Sequence, residues 1–546
     1  MSGAPVCYNG IWATLENDVV RSASPSGSAA ASLARSLTAS RVCIGLIGIL
    51  LLSAVLRLWG LGGRGLWFDE AYSIFVAEQP LTEIPRLLSQ FDTHPPLYYA
   101  LLHFWIALFG SGETTVRIPT ALAGIGVVVV TFQLGRRLGG DRLGLMAAAL
   151  VALSPFQLEA SREARMYPLL ALFTMGASDA LWRAVEEGER RHWIAYVILM
   201  TLALYTHHFA FLILLVQGMF VLISVGHAER RAWRLSLVGV VIGYLPLLPM
   251  LYAQFFTARG WPEVRPPMNL GQLTDLFGML SFGGSLFGMG SYFSGGSLRL
   301  LHRIPVLLPF AVLALPGAAG LRERRSRVLV LLLSLLPIAL VVIISTRWNL
   351  FFARYFSFTQ PPFAVLLASG VFVVTDAARE RRSTALTILL AFLASFYLTA
   401  ANEMYRARPL WDWRGMTQHV SQRIRPDDFI LFIPAFARIP FEYYFRGAQS
   451  RMSTNPEVLI RPDVKPRVTD PTYSNVLIVA NVDEKKLAEI SQMHPRMWIV
   501  ATVPIGLEAR RQIAILLAPY FREVDGRAFG YVYAFLWESR VYRAPK

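Results

Sequence analysis

Asp69 and Glu70 stand side by side in Trp67-Phe68-Asp69-Glu70-Ala71-Tyr72, just beyond a long apolar run. A carboxylate within hydrogen-bond reach can take the proton of an attacking hydroxyl. Ionised groups at the edge of a bilayer are costly, so a pair of them there asks for a use. One acid at a helix start is explained by capping and by the helix dipole. Two, beside Trp67-Phe68, point to catalysis: Asp69 as the base, and Glu70 as its cap or orienting partner.

Ser161-Arg162-Glu163-Ala164-Arg165-Met166-Tyr167 is the second such stretch. A guanidinium carries a permanent charge and meets a phosphate with two parallel bonds. Arg162, Glu163, Arg165 and Tyr167, together with Arg354, are read as a site for a phosphate group. Glu163 would hold Arg165 in place or bind a metal. Arg347, His94, His207 and His208 are candidates for lining a wet cavity. Adjacent positions on a helix point apart, so His207-His208 is not assigned as a metal site. Asp92 and Glu113 are read as solvated. The aromatic stretches Trp411-Asp412-Trp413-Arg414-Gly415 and Phe441-Glu442-Tyr443-Tyr444 suit either sugar stacking or core packing, and packing is favoured.

The elements that must position these groups are apolar. The chain has 546 residues, 54% hydrophobic and 16% charged, which places it in the membrane class. Its net charge of +16 does not indicate nucleic acid, because the Lys and Arg residues fall in short clusters between apolar runs. Two cysteines, Cys7 and Cys43, are too few for a disulfide framework or a zinc cluster.

Residues 1–41 read as a disordered cytoplasmic tail. Val42–Trp59 reads as an uncleaved first span. Further spans are expected at Val116–Leu134, Leu143–Leu158, Tyr167–Val185, Trp193–Thr206, Phe209–Val225, Leu235–Ala253, Ile304–Gly320, Val328–Ser345, Phe356–Val374 and Thr384–Ala401. Basic clusters at Arg136–Arg142, Arg190-Arg191-His192, Arg230–Arg234, Arg322–Arg327 and Arg379–Arg382 each follow a second span. All are cytoplasmic if Pro95–Phe109 does not cross. Its Pro95-Pro96 start, its Tyr and Trp content and its length of roughly 15 residues suit an interfacial helix.

About eleven transmembrane helices result, in a module of residues 42–401. Its first outward loop, 60–115, is catalytic. Gln254–Arg303, rich in glycine, is read as a lid. Residues 402–546 change composition. Short β-rich runs at Phe429–Ile433, Asn475–Ala480 and Met497–Val503 alternate with helical stretches at Trp413–Ile424, Glu484–His494 and Leu507–Tyr520. That alternation predicts a small α/β extracytoplasmic domain.

The order of these motifs resembles the bacterial GT-C glycosyltransferases related to protein O-mannosyltransferases and lipid A aminoarabinose transferases, family 39 and its relatives. The resemblance is carried by Trp67–Tyr72, His94-Pro95-Pro96-Leu97-Tyr98-Tyr99, Arg117-Ile118-Pro119, Ser161–Pro168 and Arg354-Tyr355, over roughly the first 400 residues. Trp413-Arg414-Gly415 and Tyr443-Tyr444-Phe445-Arg446-Gly447 look like the extracytoplasmic domain of bacterial members.

The resemblance implies a polytopic α-helical GT-C fold in the bacterial cytoplasmic (inner) membrane, with an active site facing outward. It implies a hexosyl- or pentosyltransferase that takes a sugar from a polyprenyl-phosphate donor to an acceptor hydroxyl, with inversion. The family's first-loop acid maps onto Asp69. Some relatives carry an aspartate in the second outward loop, where this chain offers Glu159 and Glu163. The partners implied are the lipid-linked donor, a lipid, glycan or protein acceptor and the membrane, with no nucleic acid. No cofactor is required, and a divalent cation is compatible with the family. Two other readings stand beside it: a transporter or flippase for a lipid-linked sugar, which would also need outward arginines, and an assembly protein whose C-terminal domain binds cell-wall glycan.

Overall fold

A computed structural model of the chain describes residues 25–256, 268–283, 300–348, 350–406, 409–425, 427–433, 437–446, 458–459, 484–502 and 514–543. Helices occupy the expected apolar runs. In chain order they are α1 Pro25–Leu58, α2 Phe68–Ala77, α3 Ile84–Phe91, α4 Leu97–Phe109, α5 Ile118–Gly139, α6 Asp141–Leu153, α7 Pro155–Ser161, α8 Tyr167–Glu187, α9 Arg190–Thr206 and α10 Ala210–Ser224. They continue as α11 His227–Tyr244, α12 Leu248–Phe256, α13 Leu270–Phe282, α14 Leu300–Gly320, α15 Arg324–Ser345, α16 Gln360–Ala377 and α17 Arg382–Arg406. Among the described residues, six helices are long and apolar enough to cross a membrane, and a seventh crossing is formed if the bent pair α6–α7 counts as one.

α1 begins at Pro25, so part of the segment read as a tail is helical. Residues 1–24 lie outside the described residues. The expected continuous span Leu143–Leu158 is instead broken, with a bend of 60° between α6 and α7. Pro155 has no N–H to give and cannot continue α6, so Ser154 caps a new helix. The carbonyls freed at the end of α6 are met by a buried arginine. Arg57 donates to Ala152 O (3.1 Å) and Val151 O (3.4 Å), and also to Ser53 Oγ (2.7 Å) and Ser161 Oγ (3.3 Å). The backbone at the break is thus satisfied inside the apolar module.

α14 and α16 cross closely. A Cβ at Gly317 would lie 2.0 Å from Leu366 O, and one at Gly370 1.8 Å from Leu313 O. Only glycine allows backbones this near. α4 buries Tyr98, Tyr99 and Leu102 and exposes Leu101, Phe104, Leu108 and Phe109. Its 13 residues make a helix of about 20 Å, short of a bilayer core. The stretch read as a lid contains α13, capped by Asn269 and packed through Phe282 on Phe310 and Phe396. Its residues 257–267 and 284–299 lie outside the described residues.

Beyond α17 the chain forms a mixed sheet. Strands β1 Phe429–Ile433, β2 Val458–Leu459, β3 Arg496–Thr502, β4 Phe521–Phe529 and β5 Val532–Ser539 take the order β2-β1-β3-β5-β4. β1 runs parallel to β2 and β3; β5 runs antiparallel to β3 and β4. Every residue of β1 and β3 is buried, as strands covered on both faces require. Ile430, Phe432, Trp498 and Val500 pack on helices α18 Trp413–Ser421 and α19 Arg438–Arg446. The alternate residues Leu431, Ile433, Met497 and Ile499 pack on helix α20 Glu484–Met493.

The hairpin β4–β5, turning at Gly530 with φ +69°, was not expected from the sequence. The run expected at Asn475–Ala480 lies outside the described residues, as do residues 507–513 of Leu507–Tyr520; residues 514–517 of that stretch are helical.

Candidate active site

The two adjacent acids part company at the start of α2. Neighbouring helix positions diverge by about 100°, and here Glu70 turns inward while Asp69 stays partly exposed. Glu70 is 1% exposed. Its two oxygens accept from Arg117 Nε and Nη2, both at 2.6 Å. It also accepts from the backbone N–H groups of Ala164 (2.9 Å) and Trp67 (3.4 Å). Arg117 then donates to the carbonyls of Leu61 (2.8 Å), Arg64 (2.9 Å) and Gly65 (3.2 Å). This pair ties the loop before α2, the entry to α5 and the α7–α8 turn together.

The Asp69 side chain is 25% exposed. Arg165 Nε lies 4.0 Å and Arg354 Nη1 3.8 Å from its Oδ2. Both separations exceed a hydrogen bond. The guanidinium groups flank the carboxylate as ion pairs at the long end of the range. Arg354 lies over the Trp67 ring, 4.4 Å from its centroid, and 3.5 Å from Glu163 Oε2. Arg165 Nη1 donates to Ser73 Oγ (3.2 Å), Tyr99 Oη (3.4 Å) and Asp69 O (3.4 Å). The Tyr167 ring centroid lies 6.0 Å from the Arg165 guanidinium carbon and 5.8 Å from the Tyr355 ring. Asp69, Glu163, Arg165, Tyr167 and Arg354 therefore converge, from α2, the α7–α8 turn, α8 and the turn before α16.

Asp92, expected to be solvated, is not. The turn before α4 is closed over it, and Tyr99 Oη donates to its Oδ2 at 2.6 Å while Oδ1 lies 2.6 Å from His94 Nδ1. Burial pushes this carboxyl up, but His94, then Arg165 and Tyr99, pull harder and hold it down at about 2. Tyr99 thus links Asp92 to Arg165. Gln254 Nε2 holds the same turn through Leu88 O, Asp92 O and His94 O, and Gln254 Oε1 faces His208 Nε2 at 3.0 Å. Burial pushes the His208 imidazole down to about 4. His94 and His207 meet edge to face at 5.1 Å, beside Tyr167 and Tyr355. The three histidines therefore border the cluster.

Two expected members stand apart from it. Arg162 turns away to cap α1, donating to the carbonyls of Leu56, Arg57, Trp59 and Gly60 at 2.6–3.2 Å, with Tyr405 beneath it. A guanidinium next to a helix end is drawn to the free carbonyls there. Arg347 is exposed past the end of α15. Glu113, also read as solvated, is bound by Arg414 and Tyr444. Four groups were missed: Ser73, Asp92, Tyr99 and Arg117. Helical spacing from Asp69 to Ser73 was a usable signal for the first.

Residues 93–252 match the family model for dolichyl-phosphate-mannose-protein mannosyltransferase. Among solved structures, ArnT from Cupriavidus metallidurans in the apo state aligns over 91% of this chain and 98% of its own, with TM-score 0.59 and 15% identity. The same protein bound to undecaprenyl phosphate gives 0.57 over 90% and 97%. The chain has the GT-C glycosyltransferase fold. The Archaeoglobus fulgidus oligosaccharyltransferase, in a complex with Zn and sulfate, shares the fold at TM-score 0.54 and 15% identity, over 90% of this chain and 72% of its own. A Bacillus subtilis (strain 168) protein, YycA, provisionally described as a mannosyltransferase, is 30% identical over 95 residues. That match spans 17% of this chain and 14% of YycA.

Zinc in a protein of this GT-C fold asks whether the present residues suit a cation. Among the described residues, three ligand atoms come within 4.8 Å of one another at Glu187, Glu189 and His192. That group lies at the far end of α8, about 30 Å along the helix from Tyr167. Its members are already paired, His192 with Glu187 at 2.7 Å and Glu189 with Arg191 at 2.6 Å. Around Asp69 the neighbouring charged groups are mostly guanidinium, a set that suits an anion.

Glu163 should give the site a pH response. Burial pushes its carboxyl up from 4.5 to about 7, against the pull of Arg354. Because the folded value is the higher, its protonated form favours folding below about pH 4.5, and this contribution fades as pH rises through 7. Above pH 7 the charged carboxylate competes for Arg354. Binding of a lipid-phosphate donor should therefore weaken from pH 6 to pH 8, and Glu163→Gln should flatten that dependence. A titration of donor KM against pH in both proteins checks this; parallel profiles would reject it.

Proposed function

We propose that the protein is an inverting glycosyltransferase that uses a polyprenyl-phosphate-linked sugar and works on the outer face of the bacterial cytoplasmic membrane. The observation that carries the reading is the Asp69 carboxylate flanked, beyond hydrogen-bond distance, by Arg165 and Arg354. The acceptor hydroxyl oxygen attacks the anomeric carbon, and Asp69 takes its proton. The bond from that carbon to the phosphate oxygen breaks on the opposite face, and its electron pair leaves with the phosphate. Arg165 and Arg354 stabilise the charge that develops there. One displacement inverts the anomeric centre.

The lipid-phosphate class is supported by ArnT, which shares this fold and binds undecaprenyl phosphate. An outward site follows if all eleven expected spans cross, with every basic cluster cytoplasmic. The sheet domain is then extracytoplasmic.

The test is reconstitution. Purified protein given a polyprenyl-phosphate sugar and a glycan, lipid or peptide acceptor should release polyprenyl phosphate and form a glycosidic bond of inverted configuration. Movement of the intact donor across a vesicle with no new bond would replace this reading with transport.

A further inference from the structure

We infer that Glu113 is a positioning residue that, with Arg414 and Tyr444 of the sheet domain, holds the segment delivering Asp69. The inference rests on the transferase reading and assigns the sheet domain a part in it.

The segment Leu61–Leu66 leads directly into α2 and has no regular structure of its own to fix it. It is held from one side by Arg117, through three of its carbonyls. From the other side it is held by residues far along the chain. Arg414 Nη2 donates to Gly62 O at 3.0 Å, and Arg414 Nε donates to Glu113 Oε1 at 3.1 Å. Tyr444 Oη accepts from the Leu66 N–H at 2.6 Å and donates its own hydrogen to Glu113. The sheet domain touches the backbone itself: a Cβ at Gly65 would lie 3.2 Å from Tyr444 Oη and 3.5 Å from Arg414 Cβ. Tyr443 Oη adds a bond to Ser111 O at 2.8 Å, and Trp411 packs on Trp67 at 5.9 Å.

Trp67 is also the ring beneath Arg354. The latch therefore governs two things at once: where α2 begins, and the surface on which one of the flanking arginines rests. Asp69 lies three residues beyond Leu66, so a shift of the segment moves the carboxylate with it. A displacement of about 1 Å at a reacting group can cost a hundredfold in rate. The Arg414–Glu113 pair is only partly buried, and its strength comes from two-oxygen contact and a shared third partner in Tyr444.

Tyr444→Phe keeps the ring and removes both Oη contacts. In the full-length protein, kcat for sugar transfer should fall roughly tenfold to a hundredfold with donor KM within about twofold of wild type. Arg414→Ala should act alike, and the double variant should lose little more than either alone, because both act on one unit. Amide hydrogen exchange over residues 61–70 should quicken in each variant, while exchange in α5 and α8 stays unchanged. A kcat within twofold of wild type in both variants, a loss that comes instead as a raised donor KM, or unchanged exchange over 61–70 overturns the inference. Turnover surviving in Asp69→Asn would undo the transferase reading instead, and the exchange result would still decide the latch.

Discussion

Asp69→Asn should cut glycosyl transfer by roughly 10²–10⁴-fold, the range expected when a general base is removed. The substitution is close to isosteric and falls at a position 25% exposed, so the fold should not change. Its effect on binding should have the opposite sign. Asp69 is the carboxylate within ion-pair range of both Arg165 and Arg354, at 4.0 and 3.8 Å. Neutralising it leaves those guanidinium groups less compensated, and a lipid phosphate should bind as well or better. The variant should therefore show a collapsed kcat with an equal or lower donor KM. Asp69→Glu keeps the charge but moves it by one methylene and should recover only part of the rate. Steady-state kinetics on protein with wild-type thermal stability decides the matter. Normal turnover in Asp69→Asn would remove the base from the mechanism, and a lost rate with weakened donor binding would make Asp69 a binding group.

The sequence pointed to α2 and the α7–α8 turn as partners because charge at the end of an apolar run is conspicuous. It could not separate arginines that approach Asp69 from arginines that cap helices. Arg162 and Arg165 share a composition and a neighbourhood, and their fates differ because α1 ends beside one of them. Asp92 looked like a loop acid because the residues that enclose it are not its neighbours: Gln254, whose amide closes the turn, is 162 positions away.

Apolar periodicity located the helices well but did not announce the break at Pro155, which needed Arg57 to satisfy the backbone. Continuous apolar runs gave β1 and β3. The hairpin of β4 and β5 was hidden because β4 is an edge strand with polar residues such as Arg522, Glu523, Asp525 and Arg527. The aromatic motifs around Trp411 and Tyr444 were weighed as core or sugar platform. They proved to be divided, with Trp413 in the sheet core and Arg414 and Tyr444 on the first loop.

Arg117→Leu should be the most destabilising single change considered, at about 3–5 kcal/mol. It leaves Glu70 charged, 1% exposed and without its cation. It also strips donors from Leu61 O, Arg64 O and Gly65 O. Buried groups left without partners pay the full cost of their lost hydration. Glu70→Gln removes only the charge; the amide oxygen can still accept from one donor, and the loss should be smaller. The two positions should be strongly coupled: Glu70→Gln added to Arg117→Leu should recover part of the stability, since no charge is then left alone.

Thermal unfolding in one detergent, read for the single and double variants, tests this. Arg117→Leu melting like wild type, or effects of the two substitutions that simply add, would show that the pair is not the tie described. The same series separates the adjacent acids chemically. Folded Glu70→Gln should keep far more transfer than Asp69→Asn, because the Glu70 carboxylate is spent on Arg117 and two backbone N–H groups.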